Sequence, residues 1–299
     1  MSQTSKPTQG PLTSAISAPR APRKRRGGLS PTLIVGIVLV GIVVATAIVS
    51  FVWTPFDPVQ VNAPDRLQGP SSEHWFGTDK YGRDLFSGML VGARITLFVG
   101  LISVGIALLI GTPLGIWAGI RGGWTEELIM RSSDIVLAFP ALLLAIMSAA
   151  VFGASTLTAM VAIGISTIPG FARVARSGTL QVMSTEYVLA ARAASQSRFR
   201  IALRHVLPNI IGIVVVQCSV AFALAVLAEA ALSFLGLGTP PPTPSWGRML
   251  QESQQFLGTH PLLAVFPGAA IALAVMGFNL LGDGLRDRFD PKLNGSRSS

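Results

Sequence analysis

Apolar residues occur along this chain in long runs, separated by short segments that contain polar residues, glycine and proline. The first run, residues 32–53, would be about 33 Å long as a helix, which is enough to cross a hydrocarbon core of roughly 30 Å. It is longer than the apolar part of a signal peptide and has no clear small-residue cleavage site beside it, which predicts an uncleaved anchor. The pattern predicts an all-α polytopic membrane protein with six transmembrane helices at residues 32–53, 95–120, 134–152, 156–175, 209–235 and 262–283.

Composition supports this class, and the distribution of charge indicates an orientation. Half of the 299 residues are hydrophobic and 12% are charged, unlike a soluble domain. The net charge of +9 would suit nucleic acid only if the basic residues formed a soluble face, but they are spread between apolar runs. Segments 54–94 and 236–261 hold 5 of the 23 lysines and arginines. The positive-inside rule therefore predicts that both termini are cytoplasmic.

The chain divides into four parts by composition. Residues 1–29 are rich in Ser, Thr and Pro and end in a basic cluster, which predicts a disordered basic cytoplasmic tail. A transmembrane anchor and an external loop follow at 30–91. The main transmembrane domain is predicted at 92–285, with a cytoplasmic loop at 180–208. A cytoplasmic C-terminal tail, 286–299, completes the chain.

The sequence lacks motifs for catalysis. No G-x-x-x-x-G-K-[ST] phosphate loop occurs, so any ATP chemistry belongs to another subunit, and we predict a non-catalytic chain without a cofactor. Cys218 is the only cysteine, and His74, His205 and His260 fall in separate loops, which argues against a disulfide and a metal site. Glu229 is the one acid well inside a predicted span, which is too little for a proton relay.

A basic island at residues 186–209 separates the fourth and fifth apolar runs. Four arginines and one histidine stand here against a single acid, Glu186, and several alanines favour a helix with little bulk. The Leu207-Pro208 break then returns the chain to the membrane. Two interpretations fit: a solvated cytoplasmic loop that obeys the positive-inside rule, or a docking element that a cytoplasmic partner approaches closely.

Arg94 and Glu229 are predicted to pair between helices. Arg94 opens the second predicted span on its external side, and Glu229 lies 21 residues beyond Pro208, which is roughly 30 Å along the fifth span and at a similar depth. An unpaired charge in apolar surroundings costs on the order of a few kcal/mol, so pairing would stabilise both groups. In the alternative, Arg94 extends to the lipid headgroups and Glu229 faces water.

The basic island resembles the EAA coupling loop of ATP-binding-cassette (ABC) importer permeases. That loop has Glu-Ala-Ala, a Gly four residues on, and a later Ile-x-Leu-Pro. Here Leu189 takes the Glu position and Ser195 the Gly position, where a turn with φ > 0 would strain serine by about 1 kcal/mol. The resemblance implies ATPase coupling by Glu186, Leu189, Ala190, Ala191, Ser195, Arg198, Arg204, His205, Leu207 and Pro208.

Further motifs, spread over roughly residues 30–293, are similar to those of the dipeptide/oligopeptide/nickel class of binding-protein-dependent importers. Each one alone would be an ordinary turn signal, whereas all of them in order are specific. They are His74-Trp75-Phe76-Gly77-Thr78-Asp79, Gly82-Arg83-Asp84, Gly92-Ala93-Arg94, Gly122-Gly123-Trp124, Ala138-Phe139-Pro140, Leu232-Ser233-Phe234-Leu235-Gly236-Leu237-Gly238, Pro244-Ser245-Trp246-Gly247 and Asn279-Leu280-Leu281-Gly282-Asp283-Gly284-Leu285-Arg286-Asp287.

This resemblance implies a type I ABC importer permease in the plasma membrane of a bacterium or archaeon. The implied partners are a second homologous permease, two ABC ATPase subunits that bind the ATP, an extracytoplasmic solute-binding protein and membrane lipid, without nucleic acid. ATPase closure would push on residues 186–205 and move the helices, with Pro208 as the joint.

The substrate and two rival classes stay open at this stage. A dipeptide or oligopeptide is the implied substrate, and glutathione, a nickel chelate or another small solute is the alternative. An ion-gradient-driven secondary transporter would need internal repeats and ion-binding groups near the middle of the membrane, and no clear repeat is visible. A structural or signalling membrane protein with a basic loop is the other rival.

Overall fold

The computed structural model of the protein describes residues 30–289, so the predicted N-terminal tail and the last ten residues lie outside the described residues. Within this part the regular structure is helical, apart from one β-bridge between Thr78 and Asp84, which agrees with the predicted all-α class. The helices are α1 (Pro31–Val52), α2 (Leu85–Arg121), α3 (Gly123–Leu137), α4 (Ala141–Phe152), α5 (Thr156–Met183), α6 (Glu186–Ala193), α7 (Arg198–Ile201), α8 (Leu207–Phe234), α9 (Trp246–Ser253) and α10 (Leu262–Phe289).

Side chains cap the first turn of five of these helices. Ser30, Asp84, Ser155, Ser197 and Ser245 each accept a hydrogen bond from a backbone N–H three residues later, at 2.7 to 3.3 Å. The cap at Asp84 starts α2 ten residues before the predicted start of the second span. Arg94 therefore lies inside α2, and the prediction that it opens this helix is wrong.

Five helices are long and apolar enough to cross a membrane: α1, α2, α5, α10 and the continuous helical segment from α7 through α8. The predicted third span, 134–152, is not one helix, because α3 and α4 meet at a bend of 78°. The bend falls at Pro140, whose ring removes a backbone donor and restricts Phe139. At about 1.5 Å per residue α4 is roughly 18 Å long, so a sixth crossing requires the bent pair.

Helix α2 lies at the centre of the bundle and packs closely along α5. Three glycines on one face of α2 permit this approach: a Cβ at Gly115 would lie 2.2 Å from the carbonyl oxygen of Ala172, and Gly111 and Gly119 are similarly confined against Ile168 and Thr179. Small residues at such positions let membrane helices approach until their backbones touch. Helix α8 packs on the other side of α2, and α1 and α10 pair at the edge.

Helices α2 and α5 run parallel, and α8 runs antiparallel to α5 and to α10, so the bundle has two ends. The loop end carries residues 53–84 and 235–261, which pack against each other through α9. The basic end carries residues 184–206, where the C-terminal part of α5 meets the start of α8: a Cβ at Gly178 would lie 2.9 Å from the Ile210 side chain.

Candidate functional site

The segment at the basic end folds as a short helix, a turn and a second helix that continues into α8. Helix α6 ends in a Schellman motif, because the Gln196 N–H bonds to the Ala191 carbonyl at 3.1 Å and the Ser195 N–H bonds to the Arg192 carbonyl at 2.9 Å. This motif places Ser195 in the left-handed region, with φ of +55°. The turn therefore does require φ > 0 at the position where the EAA pattern has glycine, and serine carries the strain.

A π-helical turn, Ala202–Val206, joins α7 to α8. Its closing hydrogen bond runs from the Leu207 N–H to the Ala202 carbonyl, one residue further back than in an α-helix. Pro208 follows within the first turn of α8 and supplies no N–H of its own. The predicted joint at Pro208 thus coincides with a local change of helix geometry immediately before it.

One face of this segment is built into the bundle. Val188 and Val206 are fully buried and Ile201 is 2% exposed, and they belong to one apolar cluster with Met183 at the end of α5 and Ile120 at the end of α2. Ala191 is also buried, at 6% exposed. Of the predicted coupling residues, Ala191 therefore packs inside its own chain and does not present a contact surface.

The opposite face exposes apolar and basic side chains together. Tyr187, Leu189, Phe199 and Leu203 are each between 46% and 67% exposed. The arginines of the segment are exposed as well, and within residues 30–289 none of them forms an ion pair. We call the exposed residues of 186–205 the basic-end surface. An apolar patch ringed by unpaired charge is typical of a protein interaction site.

The other predicted coupling residues lie on or beside this surface. Glu186, Leu189, Ala190, Ser195, Arg198, Arg204 and Pro208 are exposed, whereas His205 and Leu207 are half-buried. The His205 ring packs beside Tyr187 with 5.9 Å between centroids, and its Nε2 is buried without a hydrogen-bond partner in the described part of the chain. Sequence reasoning missed Tyr187, Phe199 and Leu203, although their apolar character beside arginines was a visible signal.

The predicted pair between Arg94 and Glu229 is not formed. The Arg94 Nε donates to the Ser50 hydroxyl at 3.1 Å, the guanidinium also bonds to the Ser50 carbonyl, and it lies 3.8 Å from the centroid of the Phe51 ring. These contacts join α2 to α1, because the end of α1 lies beside this part of α2. They leave Arg94 turned toward α1, with its hydrogen bonds made there.

Glu229 is 1% exposed and bonds to residues at the end of α8 and in the loop that follows it, not to Arg94. Its Oε1 accepts a hydrogen bond from the Ser233 hydroxyl at 2.7 Å and lies 3.5 Å from the Thr239 hydroxyl. The Ser233 Oγ in turn accepts from the Thr239 N–H at 3.1 Å. This local network, and not an interhelical ion pair, holds the acid in the helix.

The motif residues at the loop end form the internal structure of that end. Asp84 accepts from the backbone N–H and hydroxyl of Ser87, both at 2.7 Å, and its other oxygen lies 2.9 Å from the His74 Nδ1. Gly82 has φ of +75°, and a Cβ there would lie 1.8 Å from the Asn62 carbonyl oxygen. Only glycine fits that position.

An ion pair joins the two loops of this end, and an indole joins the second loop to α2. Arg83 bonds to Asp79 and to Glu252 at 2.6 Å each, and Arg248 bonds to Glu252 at 3.0 Å. Trp246 donates from Nε1 to the carbonyl of Met89, at 3.0 Å, across the face of α2 that glycine leaves open. The motif residues at the loop end therefore stabilise the fold of that end.

Comparison with known proteins gives consistent matches. Residues 111–295 match the family model described as the binding-protein-dependent transport system inner membrane component. The dipeptide transport system permease protein DppC of Alkalihalophilus pseudofirmus is 45% identical over 260 residues, covering 87% of this chain and 86% of the relative. The glutathione transport system permease protein GsiD of Pectobacterium atrosepticum is 45% identical over 240 residues, which is 80% of each chain.

Solved structures agree at the level of the fold. A chain of the MetNI methionine ABC transporter, in an inward-facing conformation, matches with a TM-score of 0.57 and 17% identity. The match covers 68% of this chain and 96% of that chain. The helix arrangement is therefore that of an ABC importer permease.

Proposed function

Since this chain belongs to the family of binding-protein-dependent transport system inner membrane components and is a permease subunit of an ABC importer, we propose that its basic-end surface docks a cytoplasmic ATPase subunit. The observation that carries this proposal is the two-sided construction of residues 186–206. Val188, Ile201 and Val206 anchor one face in the bundle, while Leu189 and Phe199 lie exposed on the other. A segment built in this way transmits a push from a partner into the helices that it is packed on.

The remaining partners follow from the same assignment. We propose that a second, homologous permease completes the membrane unit, that two ATPase subunits bind and hydrolyse ATP, and that a solute-binding protein delivers substrate at the loop end. The basic end then faces the cytoplasm of a bacterium or archaeon, as the positive-inside rule predicts. The family membership decides against the ion-gradient-driven carrier and the structural or signalling protein.

For the transported solute we propose small peptides. The relatives at 45% identity are a dipeptide permease and a glutathione permease, and glutathione is itself a tripeptide, so both carry peptide chemistry. Glutathione is the second candidate, because of the second of these relatives. Uptake of a labelled dipeptide, competed by unlabelled di-, tri- and oligopeptides, glutathione and nickel, separates the candidates. Competition by nickel alone would contradict the peptide proposal.

The docking proposal is tested by placing a charge at the centre of the basic-end surface. Phe199→Asp and Leu203→Asp change side chains that are 67% and 51% exposed, so the permease should fold normally. Burying an unpaired carboxylate against a partner is costly, and we expect retention of the ATPase during purification to fall about tenfold or more.

Val61→Asp provides the matched control, because Val61 is an exposed apolar residue, 63% exposed, at the opposite end of the molecule. This variant should retain the ATPase at the level of the unchanged protein. Undiminished ATPase retention in both Phe199→Asp and Leu203→Asp would contradict docking at this surface.

A further inference from the structure

From Ser166 to the basic end, α5 carries a polar stripe that the coupling role does not use. Its members recur every three or four residues and therefore lie on one face of the helix. None of them is buried in this chain. The stripe consists of Ser166, Gly170, Arg173, Ser177, Gln181 and, at the C-terminal cap, Ser184.

The part of α5 before Ser166 presents a different surface. Its exposed large side chains, Leu157, Val161 and Ile165, are apolar, as expected of a helix against lipid. Polar groups on a membrane helix face the protein interior or a water-filled space, because contact with hydrocarbon leaves them without hydrogen bonds. The stripe therefore does not face lipid.

Helix α8 adds a carboxamide at the same place. A Cβ built on Gly170 would lie 3.3 Å from the Gln217 Nε2, so this side chain reaches across to the stripe. A groove of about 500 Å³ runs between α5, α8 and α10, and Ser177, Gln181, Gln217 and Arg286 are among its lining residues. Within residues 30–289 the Gln217 carboxamide makes no hydrogen bond, so it is available to a molecule in the groove.

This groove reaches the middle of the membrane. Gln217 lies ten residues beyond the start of α8, or roughly 15 Å along it, and Pro169 stands at the midpoint of α5. Pro169 removes the helical hydrogen bond to the Ile165 carbonyl, and Gly170 leaves the neighbouring backbone uncovered. Backbone of this kind is tolerated at membrane depth where it lines a cavity.

The charge on the stripe is balanced. The Arg173 Nη2 lies 2.6 Å from the Asp134 Oδ1, and both side chains are more than half exposed, at 52% and 54%. The other polar side chains of the stripe carry neutral hydroxyl and amide groups. Hydroxyl and amide groups exchange hydrogen bonds with the amide and carboxyl groups of a solute, and Arg286 of α10 adds one cation to the lining of the groove.

We propose that the α5 stripe and Gln217 line the path by which the solute crosses the membrane, with Gln217 as a mid-membrane contact for its amide and carboxyl groups. This rests on the proposed function, since it deepens the substrate path of the same importer. The occupant is the transported solute with its water. A dry contact with the second permease is the competing outcome.

Thiol accessibility in the assembled importer distinguishes these outcomes. In a Cys218→Ala background, cysteine is introduced at Ser177, at Gln217 and, as a control, at Ile42. Ile42 is 57% exposed near the middle of α1, whose exposed large side chains are all apolar. We expect a charged methanethiosulfonate reagent to modify Ser177→Cys and Gln217→Cys at least tenfold faster than Ile42→Cys. We also expect a transported dipeptide to slow the reaction at Gln217→Cys.

Two results would overturn the path assignment. One is labelling of the two groove cysteines as slow as at Ile42→Cys, and the other is cross-linking of both to the second permease without labelling.

Uptake gives a separate readout. Gln217→Leu should raise the transport KM about threefold to tenfold because one hydrogen bond is lost, and ATPase retention should be unchanged. If the unchanged importer shows no ATP-driven uptake, the proposed function fails, and labelling still decides whether the groove is aqueous.

Discussion

The loop end and the basic end of this molecule treat their charged groups in opposite ways. At the loop end Arg83 is 12% exposed in its side chain and is enclosed by Asp79 and Glu252, whose side chains are 15% and 10% exposed. At the basic end the arginines of 186–205 are exposed and, within residues 30–289, form no ion pair. One end pairs its charged groups inside a single chain, and the other leaves its arginines exposed.

The difference predicts that residues at the two ends will tolerate substitution differently. A closed network is sensitive to the loss of any member, because the remaining charges stay buried. An open surface is sensitive to changes that a partner meets, while the chain itself keeps its fold. Maintaining the fold and forming the proposed interface are thus assigned to opposite ends of the molecule.

The largest expected effect is all-or-none and concerns which end faces outward. In the Cys218→Ala background, cysteines at Ser71 and Gln254 should react with an impermeant thiol reagent added to intact cells. A cysteine at Ser197 should react only after the membrane is opened. All three native residues are exposed in the structure, so access depends on the side of the membrane alone. Labelling of Ser197→Cys in intact cells would reverse the orientation and remove the docking proposal with it.

The second prediction compares the two faces of α6 within the basic end. Ala191 is buried and Ala190 is exposed, although they are neighbours in the sequence. Ala191→Glu should reduce the yield of folded permease several-fold, because a carboxylate without a partner is costly to bury. Ala190→Glu should leave the yield unchanged. Both yields are measured by size-exclusion chromatography of detergent-solubilised protein, and equal yields would contradict the buried face.

The third prediction removes the central cation of the loop end. Arg83→Gln should lower stability by about 2 to 3 kcal/mol, because two largely buried carboxylates lose a partner. Arg131→Gln is the matched control: its pair with Glu127 spans 3.6 Å with side chains 74% and 62% exposed, and its loss should cost at most about 0.5 kcal/mol.

Thermal denaturation of the detergent-solubilised protein measures both variants, and the double variant Arg83→Gln/Glu252→Gln sharpens the test. It should be milder than the sum of its single changes, since fewer charges are then left unpaired. If Arg83→Gln lowers the stability no more than Arg131→Gln does, the charged groups of the loop end are as open to solvent as those of the basic end.

Much of this architecture could be predicted from the sequence, because hydrophobic runs of membrane length leave few alternatives. The pattern located the five long helices, although α5 and α10 continue beyond the predicted ends at 175 and 283, and the alanine-rich segment that begins at Glu186 is helical as expected. It failed at the third span, where the run 134–152 continued smoothly across Pro140, and hydrophobicity alone does not show a bend. It also placed the start of α2 too late, because the cap at Asp84 begins the helix inside a polar segment.

The candidate site was less predictable, since side-chain direction depends on packing that no single segment contains. Arg94 and Glu229 do lie near the same end of the bundle, but depth does not fix direction: Arg94 turns to α1 and Glu229 to its own following loop. For the same reason, the sequence did not show that Ala191 is buried. The turn at Ser195 was the exception, because the EAA pattern itself identified the position where glycine is expected.

The smallest expected effect concerns that turn. Serine at φ of +55° is strained by about 1 kcal/mol relative to glycine, whereas glycine gains more conformational freedom in the unfolded chain. Ser195→Gly should therefore stabilise the end of α6 by at most about 0.5 kcal/mol. Ser184→Gly is the matched control, because Ser184 stands just before α6 at φ of −86°. Glycine relieves no backbone strain there and should lower the stability by a similar amount.

Amide hydrogen exchange of Gln196, whose N–H closes the turn on the Ala191 carbonyl, reports the local effect. Protection there should rise up to about twofold in Ser195→Gly and should not rise in Ser184→Gly. Lower protection in Ser195→Gly would mean that the serine side chain stabilises this turn more than its backbone strain disfavours it.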